Sequence, residues 1–168
     1  MNYEKVHTGD VYFMPSGRVH ALGPGLLLFE IQQTSDLTYR IYDFDRVDDK
    51  GKPRQLHTDL ALDALDFKKY DTYRTEYKPQ FNKTVPVVES TYFNTSIIHF
   101  GTPVVKDYAG LDSFVILQCA EGECSIVYEG GMETLRAGEV ILIPAIMERI
   151  QIIPVVESKI LEVYYPQK

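Results

Sequence analysis

A histidine near the start of the chain stands where it could bind a metal ion. His20 follows a turn in the stretch GDVYFMPSGRVHALGPG (residues 9–25), and Gly17 gives that turn the conformational freedom it needs. A rigid turn of this kind can aim an imidazole at a metal. A lone turn histidine is more often a packed structural residue, because a metal site needs several ligands. The stretch by itself leaves both interpretations open.

Two carboxylates follow at positions where they could line a polar pocket. In the run 26–33, Glu30 shares one face with a leucine and a glutamine, and Asp36 comes shortly after that run. A carboxylate and an amide on one face suit a polar pocket. Taken alone, both residues are better explained as solvated carboxylates or turn caps.

Two arginines of equal parity lie on the next run. Arg40 and Arg46 would point to the same side of an extended segment. A fixed guanidinium can stabilise an oxyanion, and an arginine can hold a phosphate group through two parallel hydrogen bonds. Ordinary salt bridges with Asp43 or Asp45 are the alternative, and their contribution to stability would be small.

The elements that must position these residues are mostly strands. The chain has 12 Tyr and 8 Phe, many Val and Ile, and frequent Gly and Pro between apolar runs. This pattern is typical of short strands in a sandwich, jelly roll or barrel. The predicted strands are 11–14, 26–33, 38–44, 97–100, 113–119, 124–128, 133–136, 139–143, 149–153 and 158–165.

One segment departs from the strand pattern. The stretch HTDLALDALDFKKY has apolar residues at near-helical spacing, and Thr58 or Asp59 could serve as the N-cap of a short helix. A polar, proline-containing connector follows it. The sequence therefore predicts three parts, namely residues 1–57, a helix and linker at 58–84, and residues 85–168.

The bulk composition excludes several classes of partner. The 168 residues include 45% hydrophobic residues and carry a formal net charge of -7, which argues against a nucleic-acid partner because such a partner requires a basic face. No segment has the layout of a signal peptide or the length of a membrane span. We therefore predict a cytoplasmic protein with no membrane partner. Its two cysteines, Cys119 and Cys124, are predicted to be reduced thiols that face opposite sides.

A weak internal repeat links the two ends of the chain. GDVYFMP (9–15) and GEVILIP (138–144) share a glycine, an acidic residue, a valine and a closing proline. The second copy has Arg149 where the first has His20. Because an arginine stays protonated, it is no ordinary zinc ligand. If the two copies are equivalent, only the first could hold a metal.

Three stretches carry a resemblance to a known family. The pattern G-x5-P-x-G-x2-H in residues 9–20 resembles the second conserved motif of the cupins. Together with EIQQTSDLTYRIYDFDR (30–46) and GKPRQLHTDLALDALDF (51–67), it closely resembles the type I mannose-6-phosphate isomerases of the short bacterial kind. Residues 85–168 fit the degenerate C-terminal cupin of that family more loosely. The resemblance implies an all-β cupin jelly-roll fold, with one partial and one complete degenerate cupin and a short helix between them.

The resemblance also implies an activity and roles for single residues. The family interconverts mannose 6-phosphate and fructose 6-phosphate through an enediol and uses zinc. His20 matches the family's last zinc-ligand position, and Arg40 matches its catalytic arginine. Glu30 and Asp36 match positions that line the substrate pocket, and Arg46 matches a basic position near the phosphate. In this chemistry zinc and a guanidinium would share the negative charge of the enediolate.

The same resemblance implies that this chain holds one part of the zinc site. The family's other ligands, a Gln-x-His pair and a glutamate, lie upstream of the stretch that matches residue 9. We therefore expect a C-terminal portion of such an enzyme that is inactive alone and holds no tightly bound zinc. Open sheet edges in residues 9–46 would favour a homodimer or strand exchange. The alternative is a non-catalytic cupin module that binds a sugar or a sugar phosphate.

Overall fold

The chain folds into two compact units. The structure is a computed structural model, and it describes residues 2–35 and 37–166. One unit is Tyr12–Tyr73, and the other joins residues 2–11 to residues 74–166. The first is named here the arginine unit, after the residues at its candidate site, and the second the jelly-roll unit.

The predicted three-part division differs from this grouping. The helix α1 (Thr58–Ala64) belongs to the arginine unit together with most of the predicted first part. Residues 2–11 belong to the jelly-roll unit, and its first strand begins at Lys83, inside the predicted linker at 58–84. Within the described residues, no helix reaches the length and apolar character that a membrane span requires.

The jelly-roll unit consists of two antiparallel sheets. Its described strands are β1 (Lys83–Glu89), β2 (Asn94–Phe100), β3 (Val104–Asp107), β4 (Val115–Glu121), β5 (Glu123–Tyr128), β6 (Gly131–Arg136), β7 (Val140–Ile143), β8 (Arg149–Pro154) and β9 (Ser158–Tyr164). Five pair in the order β1-β2-β9-β4-β7 and four in the order β3-β8-β5-β6. The seven strands predicted between residues 97 and 165 are confirmed, and so is the all-β, cupin jelly-roll prediction.

Apolar side chains from both sheets fill the interior of this unit. The strands bury every second residue, as β4 does with Val115, Leu117 and Cys119. Each fully buried aliphatic or aromatic side chain contributes roughly 1.5–3 kcal/mol. Apolar burial is therefore the main stabilising term here. The fully buried side chains of this core include Ile98, Phe100, Leu117, Ile126, Leu135, Ile152 and Ile160.

The two cysteines both face this interior. Cys119 and Cys124 are fully buried free thiols, so the prediction of reduced thiols is confirmed. The prediction that they face opposite sides is wrong, because the chain crosses from one sheet to the other between them at Gly122. Burial raises the pKa of Cys119, and it raises the pKa of Cys124 to about 12.

A charged network joins the two sheets inside the unit. Glu162 on β9 is 2% exposed, and its carboxylate lies 2.8 Å from the Lys106 ammonium on β3. The hydroxyl of Tyr108 donates to the same carboxylate at 2.7 Å, and Lys106 also donates to Thr84 at 3.1 Å. Burial, together with the neighbouring Glu162 charge, raises the pKa of Tyr108 well above its usual range. The network is satisfied by its own members.

Two strands of this unit escaped prediction because their sequences lack clear alternation. β1 contains Pro86, and it lies at the edge of its sheet with a register shift between Pro86 and Val88. Proline is tolerated at such a position because an edge strand has unpaired N–H groups. β3 has four residues and also lies at a sheet edge.

The arginine unit lacks the strands predicted for it. The predictions for 11–14, 26–33 and 38–44 are wrong, since the described residues of these ranges form no strand and one isolated bridge, at Val11. Alternation supplies an apolar face, but a strand also needs a neighbour along its length to pair its backbone. Leu27, within the predicted strand 26–33, is 97% exposed. The partial cupin expected at 1–57 therefore has no sheet in the described residues.

The helix α1 is present where predicted and is shorter than the apolar pattern suggested. It contains seven residues and buries Ala61. The residue before its first turn is His57, and no side chain caps it. The assignment of Thr58 or Asp59 as N-cap is therefore wrong, because both lie within the helix.

We expect Lys106→Met to lower the free energy of unfolding by roughly 3 kcal/mol, because it leaves a buried charge on Glu162 without its partner. Lys159→Met removes the same side chain from a pair with Glu121 whose members are 32% and 49% exposed, and it should cost less than about 1 kcal/mol. Urea unfolding followed by circular dichroism measures both. Equal losses in the two variants would show that the buried network contributes no more than a surface pair.

Candidate functional site

The turn before His20 is fastened to the end of helix α1. The carbonyl of Gly17 accepts a hydrogen bond from the Asp66 amide at 2.8 Å. Gly17 has φ +84°, and a Cβ atom there would overlap the carbonyl oxygen of Ala64. Glycine is required for both reasons, since other residues disfavour this φ and lack the space.

Arg18 holds the same turn from its other side. Its guanidinium donates to the carbonyl of Phe13 at 2.9 Å and lies over the rings of Tyr70 and Tyr73, at 4.7 and 5.4 Å from the ring centres. Such cation–π contacts contribute about 0.5–1 kcal/mol at exposed positions and more when desolvated. The segment that leads to His20 is thus held by a backbone bond and by aromatic stacking.

His20 itself is exposed, and its ring is oriented by the chain. Its Nδ1 atom lies 3.0 Å from the carbonyl oxygen of Arg18. Because a carbonyl can only accept, this hydrogen bond places a proton on Nδ1 and leaves the lone pair of the neutral ring on Nε2. A ring held in this way has the form that a metal-binding histidine takes.

The two predicted arginines converge on one buried carboxylate. Asp43, whose side chain is 8% exposed, accepts a hydrogen bond from Arg46 at 2.8 Å, and its Oδ1 lies 4.0 Å from Nε of Arg40. Arg54 adds a fork, with Nε 2.7 Å from Oδ2 and Nη2 in contact with Oδ1. The alternative of salt bridges to Asp43 is therefore observed. Three guanidinium groups share one carboxylate, which leaves two positive charges in excess.

The backbone between Asp43 and Arg46 is strained. Phe44 and Asp45 have φ of 54° and 53°, and the Arg46 amide donates to the Asp43 carbonyl at 3.1 Å. This is the φ pattern of a type I′ turn, in which glycine, asparagine or aspartate normally occupies the central positions, so that Phe44 is the unfavourable residue here. Non-glycine residues in this region cost about 1–3 kcal/mol each and cluster at functional sites. The turn brings Arg46 back over Asp43.

Arg40 is fixed through His57. The Arg40 amide donates to Nδ1 of His57 at 3.1 Å, and its carbonyl accepts from the His57 amide at 2.7 Å. The Arg40 guanidinium donates to the carbonyl of Gln55 at 3.3 Å. Gln55 and His57 form a Gln-x-His triplet, which the expectation of missing ligands overlooked. Its contacts in this structure position an arginine.

Arg54 is the member of this cluster that sequence reasoning missed. A turn precedes it, in which Asp48 and Gly51 are joined by a 2.9 Å backbone hydrogen bond, and Val47 pairs with Pro53. The chain therefore doubles back and brings Arg54 beside Asp43. The signal was the stretch DDKGKP, whose aspartates, glycine and proline are typical of a tight turn.

The predicted carboxylates have different outcomes. Glu30 is exposed, and the structure gives it no role in the cluster of arginines. Asp36 lies outside the described residues. The roles assigned to His20, Glu30, Asp36, Arg40 and Arg46 therefore stay predictions.

The electrostatics of the cluster favour a charged Asp43. The Arg54 guanidinium holds the pKa of Asp43 below its ordinary value, and Arg46 adds to this effect while desolvation opposes it. The same contact raises the pKa of Arg54. Asp43 and Arg54 therefore remain ionised together at neutral pH.

A zinc site is not complete within the described chain. Across residues 2–35 and 37–166, no three or more His, Cys, Asp or Glu side chains come together in a way that could hold a metal ion. His20 offers one imidazole, whereas a zinc site in a protein takes three or four protein ligands. The described residues therefore do not by themselves fit the zinc that the family resemblance implies.

Two known proteins that are similar to this chain are both mannose-6-phosphate isomerases. The chain is 32% identical over 143 residues to the mannose-6-phosphate isomerase ManA of Bacillus subtilis (strain 168), a match that covers 83% of this chain and 44% of that protein. It is 52% identical over 60 residues to a mannose-6-phosphate isomerase of Streptococcus mutans, which covers 36% of this chain and 19% of the relative. No family model matches the sequence.

A solved structure gives the same result for the fold. The crystal structure of the mannose 6-phosphate isomerase from Bacillus subtilis matches with a TM-score of 0.66 and 27% identity, over 78% of this chain and 41% of that one. The chain spans less than half the length of the relatives it matches. The match is consistent with a C-terminal portion.

We expect Gly17→Ala to speed hydrogen exchange of the Asp66 amide at least about tenfold, because a loss near 1.4 kcal/mol corresponds to that factor. Gly25→Ala is the matched control, since Gly25 also has positive φ (+76°) but open space around it. That control should leave the Asp66 amide unchanged. NMR-detected exchange measures both, and protection that survives in Gly17→Ala would contradict the close packing against Ala64.

We expect the Asp43 carboxyl to titrate below the ordinary aspartate value of about 3.9, as followed by the ¹³Cγ shift in NMR. A lowered folded-state pKa means that the stabilisation is fully present above the unfolded value and is lost as the pH falls through the folded value. Arg54→Lys lacks the planar fork and should raise the midpoint. An unchanged midpoint in that variant would remove Arg54 as the main cause.

Proposed function

Because this chain is homologous to the mannose-6-phosphate isomerases, we propose that it supplies the phosphosugar-binding part of an aldose–ketose isomerase that interconverts mannose 6-phosphate and fructose 6-phosphate. The observation that carries the proposal is the cluster of Arg40, Arg46 and Arg54 around Asp43. Its two excess positive charges suit a phosphate dianion, and arginine is the side chain that best matches phosphate geometry.

Arg40 and Arg46 differ in the exposed fraction of their side chains, and we assign them different proposed roles on that basis. The Arg46 side chain is 63% exposed, which suits contact with a phosphate that arrives from solvent. The Arg40 side chain is 23% exposed, its guanidinium donates to the Gln55 carbonyl, and its backbone is held by His57, so it suits a fixed position near the sugar. A guanidinium fixed in advance stabilises developing charge without having to reorganise.

In the proposed chemistry the arginines contribute their positive charge and their fixed positions. Isomerisation moves a proton between C1 and C2 of the sugar and places negative charge on the two neighbouring oxygens. Arg40 is proposed to stabilise that charge, and Arg46 to hold the phosphate at the other end of the substrate. Glu30 and Asp36 are proposed to bind sugar hydroxyls.

The zinc, the cytoplasmic location and the homodimer are predictions that the arginine cluster does not support. Zinc remains a prediction, because the described residues offer one exposed imidazole at His20. A cytoplasmic location is proposed along with the function. The homodimer also stays a proposal, but strands in residues 9–46, which were its rationale, are absent from the described structure.

We expect fructose 6-phosphate to bind the full chain in isothermal titration calorimetry, and fructose to give no heat at the same concentrations. Arg46→Ala should weaken binding at least about tenfold, because a hydrogen bond to a charged group is worth about 1.5–3 kcal/mol. Arg136→Ala is the matched control. Its side chain is 56% exposed and pairs with Glu123 in the jelly-roll unit, and binding should be unchanged.

The outcomes separate the two candidate functions. Turnover in a coupled isomerase assay, lost in Arg40→Ala while fructose 6-phosphate still binds, supports the isomerase. That assay uses the full-length reading frame, because this chain is expected to be inactive alone, and binding of the sugar phosphate without turnover there favours the non-catalytic cupin module. If fructose 6-phosphate does not bind the unchanged chain, neither candidate stands.

A further inference from the structure

Arg54 makes the tightest contact in the cluster. It approaches Asp43 with Nε and Nη2 together and so engages both carboxylate oxygens, whereas Arg46 reaches one carboxylate oxygen, Oδ1, and donates its Nε–H to the Asp43 backbone carbonyl at 3.2 Å. Two parallel N–H···O bonds are the strongest arrangement for this pair. Arg54 and Asp43 therefore form a unit that is neutral in charge, and the two excess positive charges lie with Arg40 and Arg46.

A hydrogen-bonded turn in the preceding residues positions Arg54 beside Asp43. The Asp48 carboxylate accepts hydrogen bonds at 2.9 Å from the amides of Lys50 and Lys52, and the Lys52 carbonyl accepts from the Asp48 amide at 2.9 Å. These bonds close the turn that precedes Arg54. The Asp48 carboxylate is thus used by the backbone of its own turn.

We infer that Arg54 is a positioning residue for anion binding, which acts through Asp43 and not through contact with the anion. It keeps the Asp43 charge compensated and its carboxylate oriented, so that Arg46 remains available to a phosphate group. Without Arg54, Asp43 pairs fully with Arg46 or Arg40 and neutralises one of the two charges that attract the anion. The inference rests on the proposed function, because it assigns a role within the same site.

Combining Arg54→Gln with a second substitution, Asp43→Asn, distinguishes this role from direct contact with the anion. Arg54→Gln should weaken the binding of inorganic phosphate and of fructose 6-phosphate to the full chain by about tenfold, on the scale of coupling between residues in contact. Removing the uncompensated charge as well, in Asp43→Asn/Arg54→Gln, should recover part of that loss. Because Asp43→Asn removes a negative charge near the anion in any background, its gain is also measured in the chain that keeps Arg54. The gain should be larger in the Arg54→Gln background, whereas a residue that contacts the anion directly would give equal gains in the two backgrounds.

The measurement is calorimetric titration with both anions, with Arg136→Gln as a control that should bind like the unchanged chain. A larger gain from Asp43→Asn in the Arg54→Gln background than in the chain that keeps Arg54 supports the inference. Equal gains in the two backgrounds, or no loss in Arg54→Gln, overturn it and leave the proposed function standing. Absence of binding by the unchanged chain overturns both.

A measurement on the unchanged chain decides the case if Arg54→Gln fails to fold. Phosphate is titrated while the arginine Nε–H signals are followed by NMR. The largest shift is expected at Arg46, and the Arg54 signal should move least of the three arginines. A largest shift at Arg54 would make it an anion ligand and would overturn the inference.

Discussion

The carboxylate of Asp43 is the interaction on which the candidate site depends. Its side chain is 8% exposed, and it gathers arginines that lie up to fourteen positions apart in the sequence, from Arg40 to Arg54. Without a shared partner, three guanidinium groups would repel one another. The strained turn at Phe44 and Asp45 adds its own cost. The favourable contacts with Asp43 offset both, so the cluster holds its shape only while that carboxylate is charged.

The interactions that stabilise the interior of the jelly-roll unit differ in kind from those that stabilise the arginine unit. The jelly-roll unit has a continuous apolar core between its sheets, which is the usual source of stability in a domain. In the arginine unit, two of the described residues are buried, Ala61 and Asp43. Its order comes from the Gly17 backbone bond, the aromatic stacking of Arg18 and the Asp43 cluster. Polar contacts have small net stabilities, so this unit should open locally before the jelly roll does.

The sequence predicted most of the jelly roll because its strands alternate clearly between buried and exposed residues. It missed β1, where Pro86 interrupts the pattern at a sheet edge. In residues 26–33 the alternation misled, because an apolar face forms a strand only where backbone partners exist. At the site, equal parity was the wrong reason for joining the predicted arginines, since a turn and not a strand brings Arg46 to Asp43. Arg54 was missed because its approach depends on that chain reversal.

The two charged clusters described here differ in ways that separate a structural network from the proposed binding site. Around Glu162, one ammonium balances one carboxylate and contacts both of its oxygens, the tyrosine hydroxyl donates to the same carboxylate, and the group is buried. Nothing is left for a ligand. Around Asp43, positive charge exceeds negative charge, the side chains of Arg46 and Arg54 are 63% and 49% exposed, and the backbone is strained. A surplus of charge that faces solvent at a conformational cost brings no advantage in folding, and it becomes favourable once an anion supplies the missing charge.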